Sequence, residues 1–104
     1  MLFRSLNEIY ELTQKNNIKL SISVYPWPGM LIYDVEESKH VKMWKEFCEK
    51  KCYNFIDNFP EFFRHSQKFS YKSTINEFYI KGDVHFNEAG NKIIADNFIK
   101  KFKF

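Results

Sequence analysis

At 104 residues, the chain is long enough for one domain and one modest core, burying about two thirds of its unfolded surface. Aromatic residues make up 19% of it, with twelve Phe, so that core is built largely of rings. Sixteen basic and thirteen acidic residues are interspersed and leave a net charge of +3, which with no long basic run and no recognisable motif argues against a nucleic-acid-binding protein.

Residues 2–16 are predicted to form a helix, with Leu2, Leu6, Ile9, Tyr10 and Thr13 at helical spacing and charge opposite. Asn16-Asn17 stops it. From Ile18 to Tyr25 apolar residues alternate with Lys19, Ser21 and Ser23, a strand pattern rich in Ile and Val. The two serines are small enough for close packing, and a regular strand does not present a nucleophile at a sharp turn. Pro26-Trp27-Pro28-Gly29 ends the strand. In open α/β sheets ligands bind beyond the carboxyl ends of strands. Trp27 is therefore a candidate substrate-binding wall, its alternative a lid over the core.

Met30 to Glu37 reads as a loop, and Ser38 as the cap of a helix over 39–51 with Val41, Trp44, Phe47 and Cys48 inward. His40 lies among lysines and reads as exposed. Cys48 and Cys52 fall at i, i+4 on that helix, where a disulfide strains the geometry, so both read as small apolar residues. Tyr53 to Asp57 reads as a short strand broken at Asn58-Phe59-Pro60. Residues 60–67 read as a short helix with Phe62 and Phe63 inward, and His65 as a surface residue without a partner. Gln67 to Asn76 reads as an irregular loop. Phe78-Tyr79-Ile80 reads as a brief extended piece. The final helix runs from Glu88 to about Lys101. This order implies an α/β domain with a short parallel sheet covered on both faces.

The chemistry is concentrated in Gly82-Asp83-Val84-His85-Phe86-Asn87-Glu88-Ala89-Gly90. In an extended segment, side chains at i and i+2 point the same way. Asp83 and His85 can therefore face each other or a common site. Asn87 is a good N-cap, and Glu88 sits in the first turn of the helix behind it. An imidazole aligned by a carboxylate is a general base. The same pair also fits a structural hydrogen bond or two metal ligands, although a metal site needs further ligands that the sequence does not offer.

The stretch resembles the last block of the SGNH (GDSL-like) hydrolases, in the order Asp, then His-x-Asn-x-x-Gly. His85, Asn87 and Gly90 stand at those positions. The spacing Asp83-Val84-His85 is shorter than the commoner Asp-x-x-His and is similar to the branch containing alginate O-acetyltransferases and related carbohydrate acyl-esterases. The resemblance implies that His85 is the catalytic base and Asp83 its orienter in a serine triad. It implies a three-layer, flavodoxin-like α/β fold, of which residues 1–104 are a single domain equivalent to the C-terminal part.

The family's nucleophile block, Gly-Asp-Ser, does not occur here: Gly82-Asp83 is followed by Val84, and the other glycines are Gly29 and Gly90. The expectation is thus the C-terminal portion of an esterase or O-acyltransferase, acting on small esters or acylated carbohydrates and inactive alone. The alternative is a truncated, non-catalytic binding or oligomerisation module. Self-association, or a separate N-terminal half, is the partner expected. No cofactor or metal is expected. No membrane segment is expected either, since no stretch approaches about 20 apolar residues. The N-terminus lacks the apolar region of a signal peptide, so the chain as written is expected in the cytoplasm, an expectation that lapses if it is a fragment.

Overall fold

The computed structural model describes residues 2–104, with side chains from Arg4 onward. Helix α1 (Leu2–Lys15) presents Leu6 to the core, while the place of Leu2 on the same stripe lies outside the described side chains. Asn17 takes a positive φ of 55°, and the Ile18 N–H returns to the Thr13 carbonyl at 2.8 Å. This left-handed close satisfies the last carbonyls of the helix. Strand β1 (Ser21–Val24) follows, shorter than its sequence pattern.

Residues expected to be loop instead form α2 (Pro28–Tyr33). Pro28 sits at the start of this helix, where its missing N–H costs nothing. In α3 (Lys39–Lys51) the Ser38 hydroxyl accepts from the Val41 N–H, as the sequence predicts. The cysteines depart from expectation. Cys48 and Cys52 are joined in a disulfide, with Cα atoms 4.5 Å apart. Cys52 is not helical: it is the C-cap, with extended φ −108° and ψ 146°. The bridge thus spans a helix end rather than a helix turn.

Strand β2 (Asn54–Asp57) pairs in parallel with β1, Ile22 opposite Phe55 and Val24 opposite Asp57. Ile22 and Phe55 share a face with Leu6, Trp44, Phe47 and Cys48. In this register the Asn58 N–H donates to the Val24 carbonyl at 3.0 Å. In a parallel ladder alternate residues turn their backbone groups to one neighbour. Ile22 and Val24 therefore face β2, and the peptide groups of Ser21 and Ser23 face away from it. Among the described residues, no other element bonds to that outer edge.

Helix α4 (Phe59–Lys68) buries Phe59, Phe62 and Phe63. The polar stretch expected to be irregular contains α5 (Tyr71–Phe78), capped by Ser70 accepting from the Ser73 N–H. Its apolar content is low, but Ile75 and Phe78 fall three apart and pack on the core beside Phe62. Helix α6 (Glu88–Lys101) closes the chain. The molecule is thus a mixed helix and strand domain around a two-stranded parallel sheet. Phe78-Tyr79-Ile80 does not extend that sheet: Tyr79 pairs antiparallel with Phe86 instead.

One buried polar group links the layers. Asn58 is fully buried; its amide donates to the Ser23 hydroxyl and the Val24 carbonyl, each at 2.9 Å. Its oxygen accepts from Asn97 of α6 at 2.7 Å. A buried amide with its partners filled fixes the mutual position of β1, β2 and α6.

Candidate functional site

The segment between α5 and α6 is a tight hairpin. The Ile80 N–H donates to the His85 carbonyl, the Asp83 N–H to the Ile80 carbonyl and the Asn87 N–H to the Phe78 carbonyl, each at 3.0 Å. Gly82 sits at the third position of the turn with φ 74°, a conformation open to glycine and strained for other residues. The Asp83 and His85 side chains occur at the tip. Their geometry brings His85 Nδ1 to 2.7 Å from Asp83 Oδ1. The same Oδ1 accepts from the Val84 N–H at 2.6 Å and the His85 N–H at 3.3 Å. The hydrogen bond from His85, then those two backbone N–H groups, hold the Asp83 carboxyl below its ordinary pKa of 3.8.

Because an ionised carboxylate only accepts, the proton between the two groups belongs to Nδ1. In the neutral imidazole that leaves Nε2 as a lone-pair acceptor, and among the described residues it bonds to no protein group. The His85 side chain is 76% exposed. It borders a cleft of about 410 Å³ with Tyr25, Trp27, Val84, Phe86 and Ile94. The cleft lies at the carboxyl end of β1, where Tyr25 and Trp27 leave the strand. Trp27 is 57% exposed, so it is a cleft wall rather than a buried lid. Among the described residues, no serine, threonine or cysteine lines the cleft. Ser21 and Ser23 accept hydrogen bonds from Asn54 and Asn58 and face elsewhere.

The remaining motif residues act on position. The Asn87 side chain caps α6 by accepting from the Gly90 N–H at 3.0 Å, and its amide donates to the Glu77 carbonyl at 2.8 Å. Gly90 lies so close to Phe78 and Phe86 that a Cβ would overlap the Phe78 carbonyl oxygen and the Phe86 ring. Asn87 and Gly90 therefore lock the hairpin against α6 and set where His85 stands.

A second imidazole–carboxylate pair escapes the sequence pattern. His65, expected on the surface without a partner, is largely buried. Its Nε2 lies 2.9 Å from Glu77 Oε2 and its Nδ1 2.7 Å from Thr74 Oγ1. The spacing of Thr74 and Glu77, i and i+3 on one helix, is the only sequence sign of it. Hydroxyl, imidazole and carboxylate stand in line, yet Thr74 is fully buried and its hydroxyl donates to the Ser70 carbonyl. No substrate reaches that hydroxyl, so the group is a clasp between α4 and α5. His40 is exposed, as expected.

Among the described residues, no group of three or more His, Cys, Asp or Glu side chains is placed to hold a metal ion. No helix among them is long and apolar enough to cross a membrane. Compared with known proteins, the chain matches no family model, no curated protein and no solved structure.

Proposed function

We propose that this chain carries the base and its orienter for an SGNH-type serine esterase or O-acyltransferase, with the serine and the oxyanion donors supplied by polypeptide outside these residues. The observation that carries the reading is the free Nε2 of a carboxylate-aligned imidazole, standing over a cleft at a strand's carboxyl end. His85 would take the serine proton and return it to the leaving group, while Asp83 holds the tautomer and stabilises the imidazolium. The substrates are esters, with O-acylated carbohydrates the class that the resemblance implies. In this reading the two strands are part of a three-layer, flavodoxin-like sheet, and the outer edge of β1 is where the rest of it joins.

Alone, the chain is expected to hydrolyse p-nitrophenyl acetate no faster than buffer, since loss of a triad nucleophile costs about 10⁶ in turnover. Mixed with the polypeptide encoded upstream, it should make a serine there reactive to a fluorophosphonate, and His85→Ala should remove that reactivity. Turnover by the isolated chain that His85→Ala abolishes, or serine labelling indifferent to His85, would overturn the proposal.

The second reading, a non-catalytic assembly module, is favoured by one observation. The accessible surface is 7633 Å², against about 6,200 Å² for a finished monomer of this mass. Concentration-dependent self-association in light scattering, with no serine labelled in any mixture, would favour it.

A further inference from the structure

Beside the His85 cleft lies a second hollow of about 450 Å³, and the two share Tyr25 and Trp27 as walls. Its size falls within the roughly 300–1,000 Å³ of small-ligand sites. The floor is made by Val24, Val41 and Phe59, all buried. Met30 of α2 and Trp44 of α3 form the sides. Among the described residues, exposed His40 carries the only polar side-chain group at its mouth apart from the Tyr25 phenol and the Trp indoles. A sugar placed in this slot would leave most of its hydroxyls without partners, a cost that an apolar ligand avoids. The floor sets aliphatic Val24 and Val41 beside the Phe59 ring, and the adaptable thioether of Met30 stands at the side, so the slot can close on a flexible apolar chain.

We propose that this slot holds the saturated acyl chain of the ester on which His85 acts. The inference rests on the assignment of His85 as an ester-acting base: the acyl tail lies in the slot, and the ester carbonyl lies on the other side of the Trp27 wall, beneath Nε2. The substrate class is thereby narrowed from esters in general to esters of longer, unbranched acids.

The chain has two tryptophans, Trp27 and Trp44, and both line the slot, so binding can be read without catalysis. Saturated fatty acids from butanoate to undecanoate are titrated against tryptophan emission, with ω-bromoundecanoate as a contact quencher. Affinity is expected to rise about fourfold per added methylene until the slot is full. The bromo acid should quench well beyond its effect on free N-acetyltryptophanamide. Met30→Glu, which puts a carboxylate in the slot, should weaken binding by at least about tenfold. Trp27→Ala, at an exposed position, should weaken it while Trp44 still reports.

Quenching no greater than that of the free indole at about 1 mM ligand, or affinity independent of chain length, would overturn the slot and leave the base assignment standing. So would emission that changes with protein concentration and not with ligand, which would give the slot to a second copy. Serine labelling indifferent to His85 would remove the base and leave the binding result intact.

Discussion

At the scale of single residues, the Asp83–His85 pair is defined by which nitrogen carries the proton. The neutral imidazole is expected as the Nδ1–H tautomer, visible in two-bond nitrogen–proton spectra. Asp83→Ala should release that preference with little change in fold, since both side chains are at the surface. The sign of the pH dependence follows from the lowered carboxyl pKa. The pair's contribution is complete above the ordinary aspartate range and is lost as pH falls through the lowered value. The Asp83 carboxyl carbon should therefore titrate below 3.8, returning toward that value in His85→Ala. Gly90 acts through space rather than charge. Gly90→Ala must push α6 away from Phe78 and Phe86, and should cost about 1–3 kcal/mol in urea unfolding, moving the His85 hairpin with it.

Among the elements, the joint between α4 and α5 depends on His65. Its ring packs against Phe69 and Phe78, with centroids 4.6 Å and 4.8 Å away, while its nitrogens engage Thr74 and Glu77. His65→Ala should therefore lower stability by about 1–3 kcal/mol, largely by leaving the buried Thr74 hydroxyl with one partner fewer. Unchanged urea midpoints would show that the clasp is decorative. The α5 helix also shows where local patterning fails. Ser70, Ser73 and Thr74 look like loop residues, yet Ser70 is a cap and Thr74 satisfies its hydroxyl on the helix backbone. Contact with α4 decides the matter. The α6 start, by contrast, is legible because Asn87, Glu88 and the following apolar period agree.

For the whole molecule, the radius of gyration is 15.0 Å, against about 13 Å for a compact domain of this length. The excess surface and the bare outer edge of β1 go with that extended shape, and under the proposed reading a further strand would join at that edge. Proline is tolerated at a strand edge whose N–H faces outward. Ser21→Pro, which leaves the Asn58–Ser23 bond in place and Asn54 still bonded to the Lys103 carbonyl, is therefore expected to leave the circular dichroism of the isolated chain nearly unchanged and to abolish strand addition, seen as loss of assembly in light scattering. Assembly that survives the substitution would move the joining surface away from β1.

The sequence by itself determined the order of the main helices and strands, the caps at Ser38 and Asn87, and that Asp83 and His85 can share one side. These depend on spacing along a few residues, where period and local hydrogen bonding dominate. Only the tertiary structure decided that the Tyr79 segment folds into a hairpin, that Cys52 leaves its helix to meet Cys48, and that His65 is clasped by Thr74 and Glu77. It alone brought Trp27 beside His85, 58 residues apart by their numbering. Such pairings depend on which surfaces meet once the core closes, and no local period encodes which distant side chain will stand opposite.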